Sequence, residues 1–195
     1  MEPLDADLDQ LSDDSLMLLF ANGDAGAARI LTARLLPRVL SHAARVLGDR
    51  AEAEDVAQEA MLRLWRAAAD WQAGGAKPST WLYRVTANLA VDRLRKAGRA
   101  VGLDESAEPE DDRPGAEETL VQAGRMAALD AALARLPERQ RQAVVLRHIE
   151  ELANPEIAGI MDISVEAVES LTARGKRALA AHLAGRRAEL GYDDG

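Results

Sequence analysis

Two neighbouring stretches of this sequence carry side chains suited to binding chemistry. The first runs from Glu52 to Trp65 and presents carboxylates and a Gln at helical spacing, which suits a partner protein offering basic and apolar groups. The second runs from Ser79 to Arg95 and interleaves aromatics, an Asn and arginines. Such a combination binds single-stranded nucleic acid, because rings stack on bases and arginines contact phosphates. Together the stretches indicate a protein that connects a large partner to an opened DNA strand.

A third binding segment lies near the carboxyl end, where the pattern predicts helix, turn and helix. The first helix is Pro155 to Met161, the turn is Asp162-Ile163, and Ser164 caps a second helix from Val165 to about Leu183. The apolar residues expected to form the core between these helices are Ile157, Ile160, Val168, Leu171 and Leu179. In this geometry the second helix enters the major groove, although a generic helical hairpin has the same apolar spacing.

The elements that position these residues are all predicted to be helices. Ala, Leu, Arg and Glu dominate, and no alternating run of β-branched and aromatic residues is long enough to indicate a sheet. Glycine-aspartate pairs at 23–24 and 48–49 mark turns that bound a helix from about Ala25 to Leu47. The next helix buries Val56, Ala60, Leu64 and Trp65. Ser79 or Thr80 is expected to cap a fourth helix that runs to roughly Lys96, and Pro137-Glu138 to start another through Ile149.

The chain is therefore predicted to be all-α, with two small helical domains joined by a flexible acidic linker. Nearly half of its 195 residues are hydrophobic, which is enough for two modest cores on either side of a polar interruption. The interruption is rich in Gly, Pro and acids and is too poor in apolar residues to order itself. The predicted segments are a first domain at 1–97, the linker at 98–119, a second domain at 120–187 and a tail at 188–195.

Composition also excludes several kinds of chemistry. There is no cysteine, so disulfides and thiolate metal sites are excluded, and the three histidines, His42, His148 and His182, are too far apart to suggest a metal site. We expect them to be surface or half-buried helix residues, and we expect no metal, no cofactor and no catalytic residue. No membrane-length apolar run and no basic leader is present, which predicts a cytoplasmic protein without membrane insertion. The net charge of −9 predicts weak binding to duplex DNA by the chain alone.

Five motifs in order resemble the extracytoplasmic-function sigma factors, the smallest class of bacterial RNA polymerase sigma subunits. The motifs are Gly23-Asp24; Ala53-Glu-Asp-Val-Ala-Gln-Glu59 with Leu62 and Trp65; Thr80-Trp-Leu-Tyr-Arg with Asn88 and Asp92-Arg-Leu-Arg95; Leu133-Ala-Arg-Leu-Pro-Glu-Arg139; and Glu156-Ile-Ala158 leading to Val168-Glu-Ser170. Each motif is weak alone, but five in the right order and spacing make a specific match. The resemblance spans nearly the whole chain. It implies a subunit that binds core RNA polymerase, directs it to promoter DNA and has no catalytic chemistry of its own.

The resemblance implies roles for the two chemical stretches of the first domain. The residues expected to bind core polymerase are Asp55, Gln58, Glu59, Leu62 and Trp65. Residues 72–95 are expected to recognise and melt the minus-ten element, with a base pocket built from Asn88 and the loop from Gln72 to Lys77, and phosphate contacts from Arg84, Arg93, Arg95 and Lys96. Trp81 and Tyr83 are interpreted as core residues, because aromatics at helical spacing usually pack.

The second domain is expected to read the minus-thirty-five element through the helix that begins at Val165. The outward-facing residues are Glu166, Glu169, Ser170, Ala173, Arg174, Lys176 and Arg177. Arg141 is a further possible phosphate contact from the neighbouring helix. The sequence departs here from the family pattern, which often has basic residues at the positions of Glu169 and Leu171. The Glu169 carboxylate can still accept a hydrogen bond from a cytosine amino group. The resemblance also implies that the acidic linker threads through polymerase and that an anti-sigma factor sequesters the protein until a signal arrives.

Two other functions remain open at this point. A regulator whose helix-turn-helix binds an operator as a dimer would bind duplex DNA tightly without polymerase, but it leaves the Asp55 to Trp65 helix unexplained. A metal-dependent phosphohydrolase could use Glu52, Glu54, Asp55 and Glu59 as ligands. However, no matching ligands are predicted on a facing helix, and the sequence has no glycine-rich phosphate loop.

Overall fold

Every regular element in the described part of the chain is a helix, which confirms the all-α prediction. A computed structural model describes residues 8–72, 74–100 and 117–184, with side chains omitted at 97–100 and 117–123. The first domain contains α1 (Asp13–Ala21), α2 (Ala25–Leu47), α3 (Arg50–Ala67), a 3-10 turn (Ala68–Asp70) and α4 (Pro78–Ala100). The second contains α5 (Glu117–Ala134), α6 (Glu138–His148), α7 (Asn154–Met161) and α8 (Val165–Ala184). None of the described helices is long and apolar enough to cross a membrane.

Short polar caps set where the helices of the first domain begin. The Asp24 carboxylate accepts from the backbone amides of Gly26 at 2.8 Å and Ala27 at 3.1 Å, and so satisfies the first turn of α2. Gly48 then ends α2 with φ at 73°, a left-handed conformation that glycine adopts without strain. Asp49 caps α3 by accepting from the Glu52 amide at 2.9 Å. Because α2 ends at Gly48 and α3 is capped by the next residue, the two helices form a tight helical hairpin.

The first-domain core lies between α1, α2, α3 and α4. Its fully buried side chains include Leu16 and Met17 from α1, Leu31 and Leu35 from α2, Leu64 from α3 and Leu82 from α4. Leu31 and Leu35 are four residues apart and therefore lie on one face of their helix. This packing leaves the outward face of α3 exposed to solvent and leaves one face of α4 to pack against the second domain.

The second domain contains the predicted helix-turn-helix. Asp162 ends α7 in the left-handed conformation, and the Ser164 hydroxyl caps α8 by accepting from the Ala167 amide at 3.2 Å. Ile157, Ile160 and Val168 are buried between the two helices, with Leu171 partly buried against them. The prediction that Leu179 belongs to this core is wrong. Helix α8 is long enough for Leu179 to pack instead against a second buried cluster, formed by α5, α6 and the turn between them.

Gly175 allows α8 to lie close to α6. A Cβ atom at Gly175 would stand 2.6 Å from Cγ2 of Val144 and 3.2 Å from the Gln140 carbonyl oxygen. Real Cβ atoms do not approach other atoms so closely, so only glycine fits without movement. The position is therefore a packing requirement of the second domain rather than a break in α8.

The two domains pack against each other across α4 and α7 and across α2, α5 and α6. Tyr83 and Ala87 of α4 belong to the same buried cluster as Leu146, Ile157 and Met161 of the second domain. The Tyr83 hydroxyl donates to the Glu150 carboxylate, and burial, followed by this bond, raises the pKa of Tyr83. Two polar contacts lie beside the cluster: Arg141 donates to the Val46 carbonyl at 2.7 Å, and Arg45 lies 3.5 Å from Asp130.

Several predicted boundaries shift. Helix α4 begins at Pro78, so Ser79 and Thr80 lie in its first turn and do not cap it; proline suits this position because it has no amide hydrogen to satisfy and its φ is already helical. Helices α4 and α5 extend to Ala100 and from Glu117, inside the range predicted as linker. The rest of the predicted flexible linker and the predicted tail lie outside the described residues.

His42 is fully buried, so the prediction of a surface or half-buried residue is wrong for it. Its side chain is 0% exposed, neither ring nitrogen has a hydrogen-bond partner, and the ring packs edge-on against Tyr83 at 5.3 Å between centroids. Burial, followed by the nearby Arg45 charge, lowers the pKa of His42 to about 4. His42 is therefore a neutral core residue. The other two histidines are exposed, as expected.

Candidate partner and nucleic-acid interfaces

The outward face of α3 presents an apolar residue among acids. Asp55 and Gln58 are exposed, Glu59 is partly exposed, and Leu62 is 42% exposed. Glu59 accepts from Arg63 at 2.8 Å, and this hydrogen bond lowers the pKa of Glu59. The structure therefore brings together these four predicted partner-binding residues on one solvent-facing surface, which we call the α3 face.

Trp65 lies at the end of the α3 face and lines an open groove. Its ring packs edge-on against Phe20 at 4.8 Å. The groove has a volume of about 430 Å³, and its walls include Phe20, Ala28 and Thr32 together with Trp65. A half-buried tryptophan beside an open apolar groove suits a partner that inserts an apolar side chain.

A second cleft lies where the loop before α4 meets the first turns of that helix. It has a volume of about 290 Å³ and is lined by Ala67, Asp70, Trp71, Gln72, Ala76 and Trp81. The rings of Trp71 and Trp81 lie 6.4 Å apart at 79°, and the Trp71 indole donates to Asp14 at 3.1 Å, which fixes that wall. The cleft offers two aromatic walls, a carboxylate and an amide, the groups that hold an unstacked base.

This cleft contains residues that sequence reasoning missed. The loop from Gln72 to Lys77 is predicted to help build the base pocket, and Gln72 and Ala76 of that loop do line the cleft. Asp70 and Trp71 are not among the predicted pocket residues, and a tryptophan beside a polar, glycine-rich loop was the available signal for them. Trp81 packs against the core, as predicted, and also forms part of the cleft wall. Asn88 does not line the cleft: it is seven residues further along α4, on the same face and about 10 Å away along the axis.

The predicted minus-ten contacts otherwise lie on accessible surface. The exposed residues are Gln72, Lys77, Arg84, Asn88, Arg95 and Lys96. Arg93 differs, because its guanidinium donates to Glu52 and lies 3.6 Å from Asp55 of the α3 face. The hydrogen bond to Glu52 raises the pKa of Arg93. Arg93 thus joins the α3 face to the surface of α4.

The outward face of α8 matches its prediction. All seven predicted residues, from Glu166 to Arg177, are exposed, whereas Val168 and Gly175 face the domain core. Arg174 donates to the Ser170 hydroxyl at 2.9 Å, and the Asn154 amide lies 3.5 Å from Glu169. A hydrogen bond from its own backbone, and a second from Ser164, lower the pKa of Glu166. Helix α8 therefore presents two acidic residues near its start and three basic residues, Arg174, Lys176 and Arg177, further along.

Arg141 is not part of this face. Its guanidinium donates to the carbonyls of Val46, Ala134 and Leu136, and is directed into the packing between the domains. Partial burial lowers the pKa of Arg141. The suggestion that it contacts phosphate is therefore wrong for this arrangement of the domains. Among the described residues, no group of acids or histidines is arranged to hold a metal ion.

The comparisons with known proteins agree with the arrangement of two domains. The family model of Sigma-70 region 2 matches residues 31–100, and that of Sigma-70 region 4 matches residues 126–179. The ECF RNA polymerase sigma factor SigW of Bacillus subtilis is 33% identical, with 69% of this chain and 77% of that protein covered. The chain belongs to the extracytoplasmic-function sigma factors. The family resemblance of the five motifs is thereby confirmed.

Two further relatives of this sigma factor match different shares of the chain. The RNA polymerase sigma-H factor of Pseudomonas aeruginosa is 30% identical over 88% of this chain and 94% of its own length. The ECF sigma factor SigE of Mycolicibacterium smegmatis is 37% identical over 78% of this chain, and the match spans 60% of that relative.

Solved structures support the same fold. CnrH, in a complex with the cytosolic domain of CnrY, is 27% identical with a TM-score of 0.62, covering 89% of this chain and 97% of that one. The sigma factor RpoE of Bartonella quintana, in a complex with the anti-sigma factor NepR, has a TM-score of 0.64 at 21% identity, covering 78% and 93% of the two chains. The predicted pair of helical domains is therefore confirmed at the level of the fold.

Proposed function

We propose that this sigma factor binds core RNA polymerase through the α3 face and selects promoters through α4 and α8. The cleft lined by Trp71, Gln72 and Trp81 holds an unstacked base of the minus-ten element, and cations of α4 contact the phosphates of the opened strand. The exposed face of α8 enters the major groove at the minus-thirty-five element. The phosphodiester chemistry is left to polymerase.

One observation carries the proposal: the predicted polar residues of α3, α4 and α8 are at least partly exposed, while the apolar residues between them form the cores. Three binding surfaces are thus available without unfolding either domain. Leu62 supports the polymerase contact in particular, because an exposed leucine among carboxylates suits a groove with apolar pockets and basic rims.

The test is assembly with bacterial core RNA polymerase, followed by mapping of transcripts made from genomic DNA fragments. Tight binding with initiation at a small set of sites is expected. Leu62→Ala should weaken core binding roughly tenfold, since truncating a buried interface leucine removes about 1–2 kcal/mol. Leu18→Ala is the matched control, because Leu18 is similarly exposed but lies on α1. Sequence-specific retention of duplex DNA by the chain alone, without polymerase binding, would instead favour the operator-binding regulator.

We further propose that the protein acts in the cytoplasm and that an anti-sigma factor controls it. Both follow from the family, and the complexes of CnrH and RpoE with other proteins support the second. The controlling protein would have to cover at least one of the three surfaces. Co-purification from the native cell, followed by competition against core polymerase, tests this proposal. A captured partner that leaves core binding unchanged would argue against it.

A further inference from the structure

Arg93 is shared between two surfaces that have separate partners in the proposed function. It lies on α4, near the other cations assigned to phosphate contacts, but its guanidinium donates to Glu52 and lies 3.6 Å from Asp55. Asp55 belongs to the α3 face, and Glu52 lies one turn before it on the same helix. One side chain therefore joins the acids that face polymerase to the helix that faces DNA.

These contacts compete with the proposed uses of the same groups. A guanidinium neutralised by two carboxylates attracts a phosphate less strongly than a free one, because each phosphate contact depends on the positive charge of the protein group. In the same way, an Asp55 carboxylate close to Arg93 is partly neutralised before a basic polymerase groove reaches it. Both partners must therefore weaken the same ion pairs to bind fully.

We propose that the Glu52–Arg93–Asp55 cluster is an electrostatic latch that couples polymerase binding to DNA binding. In the free protein the two acids hold Arg93 and lower its affinity for phosphate. When the basic groove of polymerase takes over the acids, Arg93 is released to the opened strand. By thermodynamic reciprocity, DNA on Arg93 also strengthens polymerase binding. The inference rests on the proposed function of the α3 and α4 surfaces.

The size of the effect follows from the exposure of the cluster. Arg93 is 36% exposed, Glu52 48% and Asp55 66%, so water and salt screen each pair. Exposed pairs contribute a factor of roughly two to five in an equilibrium constant. The latch is therefore a modest bias, large enough to measure by titration at low salt, and it should diminish as salt is raised.

The test measures binding of the full-length protein to a fluorescently labelled oligothymidylate at low salt. A uniform oligonucleotide is suitable because a phosphate contact does not depend on base sequence. Glu52→Gln should tighten binding about threefold. Glu54→Gln is the matched control: it removes one charge from the same helix, its side chain is 55% exposed, and it pairs with Arg50 at 3.1 Å rather than with Arg93. It should change binding only by the small, general effect of one lost negative charge.

Two further variants separate the latch from the proposed DNA role. Arg93→Ala should weaken oligonucleotide binding, and in that background Glu52→Gln should give no more gain than Glu54→Gln. If Arg93→Ala changes nothing, then Arg93 does not contact DNA, and the proposed role and the latch both fail. If Arg93→Ala weakens binding but Glu52→Gln gives no gain over the control, or weakens binding, the acids do not restrain Arg93 and only the latch is overturned.

Polymerase supplies the last comparison. With core enzyme bound, the acids should already be occupied, so the gain from Glu52→Gln over Glu54→Gln should largely disappear. An equal gain with and without core polymerase would show that polymerase does not release Arg93, and would overturn the coupling.

Discussion

Acid should destabilise the first domain through His42, and replacing this one side chain should remove that part of the effect. The pKa of His42 is about 4 in the folded protein, whereas an unfolded histidine titrates near 6.5. Between these values the unfolded chain binds more protons than the folded one, so stability rises with pH through this window. The contribution is fully present above the unfolded value and is lost as pH falls.

The expected magnitude follows from the two pKa values. The full difference between the two pKa values corresponds to roughly 3 kcal/mol, reached only below pH 4. At pH 5 the same linkage gives a loss of about 2 kcal/mol relative to pH 8. This is a large share of the stability of a small domain. His42 contributes it because burial, and then the nearby Arg45 charge, disfavour the charged ring, which has no hydrogen-bond partner to compensate.

The assay is urea unfolding at pH 8 and pH 5 for wild type, His42→Leu and His182→Gln. Leucine has a similar volume and leaves no polar nitrogen unsatisfied, so His42→Leu should cost less than about 1.5 kcal/mol at pH 8. It should also lose about 2 kcal/mol less than wild type on going to pH 5. His182 is exposed, so its variant should behave as wild type. An unchanged loss in His42→Leu would refute the reasoning, because the acid sensitivity would then come from other groups.

The remaining predictions concern packing and DNA contacts. Gly175→Ala should destabilise the protein by about 1–2 kcal/mol in urea unfolding, because its Cβ atom would clash with Val144. The control Gly159→Ala lies in a helix with open space around it and should stabilise the protein by about 0.5–1 kcal/mol. A stabilised Gly175→Ala variant would contradict the close approach of α8 to α6. Asn88→Ala should reduce promoter melting and transcription about tenfold while core-polymerase binding is unchanged, and loss of both together would count against its assigned role. Arg174→Ala should weaken promoter affinity several-fold with intact core binding, as measured with holoenzyme on duplex DNA; unchanged affinity would remove it from the α8 interface.

The sequence predicted the helices well where local chemistry sets them. The bounds of α2 agree because Asp24 caps its start and Gly48 ends it, both through bonds within a few residues. The cap at Ser164 agrees for the same reason. The predicted start of α4 differs from the observed one. A proline at the first helical position, followed by two polar residues that could act as caps, gives two plausible starts, and the local pattern alone does not choose between them.

The candidate surfaces were predictable to the extent that they are single faces of single helices. On α8, one stripe is buried and the opposite stripe is exposed, so periodicity was enough to find the seven residues. For the cleft lined by Trp71 and Trp81, the family resemblance predicted only the loop from Gln72 to Lys77. The two tryptophan walls were not predicted, because they are ten positions apart with an irregular loop between them. Periodicity has no meaning in such a loop, and the position of Trp71 is fixed from a distance by Asp14.

The sequence by itself determined the helical class, the two domains and the family, because composition, helical period and the order of five motifs are properties of the chain read along its length. Tertiary structure alone decided the partners of His42, Arg93 and Arg141. Each lies on a helix with nothing in its neighbourhood to show what it touches: His42 packs on Tyr83, Arg93 reaches Glu52, and Arg141 donates to Val46. Burial and charge pairing depend on which helices meet, and contacts between residues 41 to 95 positions apart follow from packing rather than from local pattern.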